Sequence, residues 1–108
     1  MDFFDFSPSI SLEDIEKRSE KRRQIILKHS TRCIISSMAL RNLTQCDAEA
    51  DCWVLDLLNH RELSNEISVR YQITHQSPQI ILLHHGEVQL SASHEQITCE
   101  LLTKDYGQ

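Results

Sequence analysis

At 108 residues, with 40% hydrophobic and 25% charged side chains, the chain has the size and composition of one ordinary soluble domain built on a single core. Its formal net charge of -5 gives no electrostatic reason to expect nucleic acid as a partner, and its one basic block, Lys21-Arg22-Arg23, reads as a solvated helix end. No apolar run approaches the ~20 residues of a membrane span, and Met1-Asp2-Phe3-Phe4-Asp5 lacks the basic start of a signal peptide, so a cytoplasmic protein that meets no membrane is expected.

Taken in chain order, Phe3 to Phe6 can supply a short edge strand. Ser11 followed by Asp14 marks a helix start, because a short side-chain oxygen caps free N–H groups and an acid in the first turn suits the helix dipole. A polar helix of about three turns then runs to Arg22, with the charged stretch Glu13 to Arg23 as its solvated face. Gln24 to Lys28, centred on Ile25-Ile26-Leu27, reads as a buried strand, and His29-Ser30-Thr31-Arg32 leads out of it. From Cys33 to Cys46 the residues Ile35, Met38, Ala39, Leu43 and Cys46 recur at threes and fours, which predicts one buried helical face.

Cys52 to Leu58, containing Trp53, Val54, Leu55 and Leu57, predicts a second central strand that ends towards Asn59-His60-Arg61. A helix capped by Ser64 follows to Tyr71. Ser77-Pro78 then precedes Gln79 to His85, a turn at Gly86, and Glu87 to Ser91, which together predict a hairpin. Ser93 with Gln96 forms a capping box for a last helix, Glu95 to Lys104. Crossovers through the early helices demand parallel strands and the short Gly86 turn demands an antiparallel pair. The expected architecture is therefore α/β, a three-layer arrangement with a central mixed sheet flanked by helices. The thioredoxin-like fold has this order, with a nucleophilic cysteine after a central strand and a cis-proline before the hairpin; Cys33 and Pro78 stand in those two places.

Cys33 carries the chemistry. A cysteine at the start of a helix lies among unpaired backbone N–H groups and at the positive end of the helix dipole, both of which favour thiolate over thiol. Arg32 adds a full positive charge beside it. The thiolate is the form that attacks disulfides, so Cys33 reads as a nucleophile.

Four cysteines, Cys33, Cys46, Cys52 and Cys99, show no close metal-type pairing, and a stable disulfide frame is not expected in a reducing compartment. Cys46, Cys52 and Cys99 read as core residues, since free cysteine behaves as a small hydrophobe; a resolving role for one of them is the alternative. A zinc set of Cys46 and Cys52 with His84 and His85 is disfavoured by its spacing and by the opposite facing of adjacent strand residues, and no metal is expected. Met38 and Ala39 read as core.

Beyond the fold, Lys28-His29-Ser30-Thr31-Arg32-Cys33, Ile35-Ser36, Arg61 with Ser64-Asn65, Ser77-Pro78-Gln79, Gly86, Ala92-Ser93-His94 and Ile97-Thr98 resemble the pattern of the YtxJ family, the monothiol bacilliredoxins. The resemblance covers nearly the whole chain. The family usually carries proline directly after the cysteine; Ile34 stands there in this chain, and with it goes a residue that pre-sets a helix start. Ser36 occupies the position at which dithiol redoxins carry a resolving cysteine, and a hydroxyl cannot close a disulfide.

What the resemblance implies is a monothiol route. Cys33 attacks a mixed disulfide between a client protein and a small thiol, releases the client thiol, and holds the small thiol until another reductant takes it. In the resembling family that small thiol is bacillithiol, a co-substrate; no bound cofactor is expected. Thr31, Arg32 and Ser36 would support the nucleophile. Ser77, ahead of a presumed cis-Pro78, would pair its backbone with the client's extended chain. His94 could donate to the small thiol or assist proton transfer, or simply cap or face solvent, and His29 could orient the site or serve as a satisfied histidine at a strand end. The competing class is a non-catalytic thioredoxin-fold module that binds a peptide near Pro78, with Cys33 incidental.

Overall fold

A computed structural model describes residues 1–103. Five strands, β1 (Asp2–Asp5), β2 (Arg23–His29), β3 (Ala50–Asp56), β4 (Gln79–His84) and β5 (Glu87–Ser93), form one sheet in the order β1-β3-β2-β4-β5. β1 and β2 both run parallel to β3, whereas β4 is antiparallel to β2 and to β5. The connections run through α1 (Leu12–Arg18), α2 (Ile34–Thr44) and α3 (Arg61–Tyr71), and the described chain closes with a 3-10 turn (His94–Gln96) and α4 (Cys99–Thr103).

The alternation of strand side chains divides the core in two. Ile25, Leu27, Cys52, Ile80 and Leu82 pack with Ala39 and Leu43 of α2 and Leu102 of α4. On the opposite face Ile26, Trp53, Leu55, Ile81 and Leu83 pack with Leu12 and Ile15 of α1 and Ile67 of α3. The sheet is therefore the middle of three layers. The central strands read as continuous apolar runs because both of their faces are covered.

Several boundaries differ from those read in the sequence. α1 ends at Arg18, not Arg22: Ser19 turns the chain, its N–H donating to the Ile15 carbonyl while its hydroxyl accepts from Gly86 N–H. Lys21-Arg22-Arg23 is accordingly no helix end. Arg22 pairs with Asp2 and Asp51, and Arg23 opens β2. Nor is Glu13 to Arg23 simply a solvated face, since Ile15 is buried and Glu16 holds Arg70 at 2.7 Å. β3 starts and stops two residues earlier than expected. α3 begins at Arg61, so Ser64 lies inside the helix and is not its cap.

The Ser93/Gln96 capping box exists, but it opens the 3-10 turn, and α4 starts only at Cys99. The last predicted helical residue, Lys104, lies outside the described residues. In the hairpin, His85 and Gly86 both have positive φ, 54° and 78°. That conformation suits a two-residue turn whose twist matches its strands, and glycine supplies half of it without steric cost.

Candidate active site

β2 delivers the chain to the end of the sheet where the site is built. A tight turn follows, with Cys33 N–H donating to the Ser30 carbonyl at 3.2 Å, and Cys33 becomes the N-cap of α2, extended at φ -111° and ψ 122°. Its own carbonyl accepts the Ser37 N–H at 3.0 Å. At an N-cap the side chain projects towards the free N–H groups of the first turn. Sγ makes no cap hydrogen bond here, that turn carries no acidic residue, and the sulfur is free and half-exposed.

Ser36, at the third helical position, is 0% exposed. Its Oγ accepts the Ser30 N–H at 2.9 Å and lies 2.7 Å from His29 Nδ1. The Ser36 hydroxyl thus bonds both the Ser30 N–H and the His29 ring, so its burial is satisfied. Burial holds the His29 pKa below its ordinary value of 6.5, against the opposing pull of Asp56 and of the Ser36 backbone. His29 is thus a satisfied histidine at a strand end. Together with Ser36 it ties the first turn of α2 to the end of β2, fixing where Cys33 sits.

The second half of the candidate site comes from the neighbouring strands. Lys28 of β2 is in register with Gln79 of β4, and Gln79 with Ser93 of β5. Ser77-Pro78 and His94 therefore stand at the same end of the sheet as Cys33. The Ser77–Pro78 bond is cis. His94 has φ 55° and its N–H donates to the Pro78 carbonyl at 3.0 Å, which joins the proline to the 3-10 turn.

A cavity of about 230 Å³ opens directly on Cys33, and Thr31, Arg32, Ile34, Met38 and Arg41 line it. Ser77, Pro78 and His94 are not among its walls. This corrects the helical face read from the sequence. Met38 is 60% exposed and Ile35 41% exposed, while Ser36, Ala39 and Leu43 form the buried face. α2 carries apolar residues on two faces, and Ile34, Met38 and Arg41, spaced at four and three, make the outer one that runs away from the thiol. Arg41 and Ile34 were not legible as site residues, because their only signal is that outward spacing.

The other cysteines are placed away from this chemistry. Cys46 and Cys99 are not free core residues: they form a disulfide, with a Cα–Cα distance of 5.2 Å, inside the usual bridging range of about 4.4–6.8 Å. The end of α2 and the start of α4 pack on the same face of the sheet and bring together two cysteines 53 residues apart. Cys52 lies buried in β3, where burial pushes its thiol up to about 12.

Lys28 is the residue of the motif that faces the other layer. It is 0% exposed, and its ammonium group reaches the Ser64 carbonyl at 3.1 Å, Ser68 Oγ at 2.8 Å and His75 Nδ1 at 3.2 Å. Burial holds its pKa down to about 8. These bonds join β2, α3 and the segment that leads to Ser77-Pro78, and they require His75 Nδ1 to be unprotonated.

A pH dependence of stability follows. Burial lowers the pKa values of His29, His75 and His84 below 6.5 in the folded chain. As pH falls through 6.5 the unfolded chain takes up protons before the folded one, so stability is fully present above that value and is lost on acidification. Glu16, lowered chiefly by its Arg70 bond, adds a further loss as pH falls through 4.5. Urea unfolding midpoints measured from neutral to mildly acidic pH should fall steadily. A flat or rising midpoint contradicts this account.

Comparison with known proteins places this arrangement. The family profile for Monothiol bacilliredoxin BrxC matches residues 7–102. The chain belongs to the monothiol bacilliredoxin family. Among solved structures, the bacilliredoxin chain is similar to a protein assigned as an oxidoreductase with a thioredoxin fold, at 26% identity and a TM-score of 0.76, covering 91% of this chain and 88% of that one. It also resembles Trxlp from Edwardsiella tarda EIB202, with 12% identity, a TM-score of 0.67, and 94% and 99% of the two chains covered. A variant thioredoxin from Halobacterium salinarum NRC-1 matches at 14% identity and a TM-score of 0.65, over 96% and 93%. These last two show the fold alone. Membership makes this bacilliredoxin a thiol-disulfide oxidoreductase of thioredoxin-like fold. Among the described residues no helix is long and apolar enough to cross a membrane.

Proposed function

We propose that this bacilliredoxin removes a small thiol, bacillithiol on the strength of its family, from proteins that carry it in mixed disulfide. The observation that supports this most is the state of the cysteines. Cys33 is free and half-exposed at a helix N-cap, position 36 is a buried serine, Cys52 is sealed in the core, and Cys46 is joined to Cys99 beyond the carboxyl end of α2. α2 spans 11 residues, about 16 Å at 1.5 Å per residue, so that pair is remote from the thiol.

In the first step the Cys33 thiolate attacks the small-thiol sulfur of the mixed disulfide. The Cys33–sulfur bond forms as the old disulfide breaks, and the client cysteine leaves as thiolate. No sulfur in reach closes the cycle. A second small-thiol thiolate then attacks the adduct, restores Cys33 and leaves as the symmetric disulfide. In this reading Thr31 and Arg32 shape the approach, and Ser36 holds the first turn of α2. The backbone at Ser77, beside Pro78, receives the extended client, and His94 stands beside them as a donor to the ligand.

The test uses a protein whose single cysteine carries bacillithiol. Adding the bacilliredoxin should free that cysteine and transfer the mass of one bacillithiol to Cys33. Release of the client thiol without an adduct on Cys33 would overturn the proposal, as would no release at all.

A further inference from the structure

The cavity beside Cys33 is lined by two arginines, Arg32 and Arg41, that no acidic neighbour in its walls balances. Of the other arginines, Arg22 and Arg70 hold carboxylates, Arg23 holds the Leu102 carbonyl, Arg18 lies over Trp53, and Arg61, among the described residues, stands unpaired at the start of α3. Among the described residues neither Arg32 nor Arg41 has a side-chain hydrogen bond or ion pair. A chain of net charge -5 thus carries two unpaired cations on the lip of its reactive thiol.

From these walls we infer that the cavity is a receptor for the small-thiol half of the disulfide, and that it selects an anionic one, with Arg41 and Arg32 meeting its carboxylate. This rests on the exchange reaction proposed above and adds the specificity. At about 230 Å³ the cavity is below the ~300–1,000 Å³ of sites for drug-sized ligands, which suits a small thiol and not a folded client. Arg41 stands seven residues beyond Ile34, about 10 Å along the axis, and helical side chains lean back towards the amino end. A group attached to the Cys33 sulfur therefore needs only a short arm to reach between the two guanidinium groups. Ile34 and Met38 pack against the arm, and guanidinium is the cation best shaped to hold a carboxylate through paired hydrogen bonds.

The experiment compares three small disulfides that differ in charge: dithiodipropionate, bis(hydroxyethyl) disulfide and cystamine. Rate constants for adduct formation on Cys33, followed by intact mass, are normalised to those of a free neutral thiol so that intrinsic reactivity cancels. The anionic probe should be favoured over the neutral one by about threefold to tenfold at low salt, the cationic probe disfavoured, and both differences should shrink at high salt. Arg41→Gln should lower the anionic-to-neutral ratio and Arg41→Glu should invert it, while Arg41→Lys retains most of it. Equal normalised rates for the three probes, or a ratio that Arg41→Glu does not move, overturn the anionic receptor and leave exchange at Cys33 standing. No adduct on Cys33 with any probe, when the urea-unfolded chain reacts with all of them, overturns the exchange reaction itself.

Discussion

Replacing Cys33 with serine is expected to abolish mixed-disulfide formation, not merely to slow it. A hydroxyl cannot share a disulfide, and no other sulfur stands in for this one: Cys52 is buried and its thiol is pushed up to about 12, and Cys46 and Cys99 are already joined. Cys46→Ser and Cys99→Ser should leave the reaction at Cys33 largely intact, because the disulfide they remove lies beyond the far end of α2. The same contrast separates an enzyme from a peptide-binding module in which Cys33 is incidental. In the enzyme, a neutral alkylating reagent modifies Cys33 far faster than Cys52 in the folded chain, and inactivation follows Cys33 modification. Equal labelling of Cys33 and Cys52, or full exchange activity in Cys33→Ser, would remove Cys33 from the mechanism.

The second large effect is expected at Ser36. Side chains at the N-cap and the third helical position approach one another, as the reciprocal bonds of a capping box show, and Cys33 and Ser36 hold those two positions. Ser36→Cys places a thiol beside the adduct. It attacks the Cys33 sulfur, the bond to the small thiol breaks, and an internal disulfide remains. Intramolecular reactions of well-oriented groups reach effective molarities of about 10⁵ M or more, so the adduct lifetime should shorten by orders of magnitude. Some stability goes with the serine: the Ser30 N–H and His29 lose their bonds to Oγ, at about 1–3 kcal/mol for buried groups left unpaired. A folded Ser36→Cys chain whose adduct persists as long as that of the natural chain would contradict the geometry.

The fold was legible where local pattern and tertiary burial agree. Ile25-Ile26-Leu27 and Ile80-Ile81-Leu82-Leu83 are apolar on both faces because the sheet is covered on both, and His85-Gly86 marks its turn by backbone demand alone. Of the candidate site, the placement of Cys33 at a helix start, of Ser36 in its first turn and of a cis bond at Ser77-Pro78 was legible in the sequence. What escaped is what depends on distant partners. Ser19 ends α1 because its hydroxyl meets Gly86, and Ser64 sits inside α3 with its carbonyl on Lys28. Cys46 meets Cys99 across 53 residues. Met38 was misread for a different reason. α2 has two apolar faces, and the one that packs includes a polar residue, Ser36, whose burial is satisfied by His29 and Ser30. Periodicity alone merged the two: Ala39, Leu43 and Cys46 of the stripe it picks are buried, whereas Ile35 and Met38 are exposed and Met38 borders the thiol.

The central claim is that one sulfur carries the exchange and nothing in the chain resolves it. Its most direct test is the fate of the adduct. The natural chain, treated with the disulfide of a small thiol and then freed of reagent, should gain the mass of one small thiol, mapped to the peptide containing Cys33. That mass should persist until fresh thiol is added. Spontaneous loss of the small thiol, with Cys33 found in an internal disulfide with Cys46, Cys52 or Cys99, would contradict the monothiol mechanism.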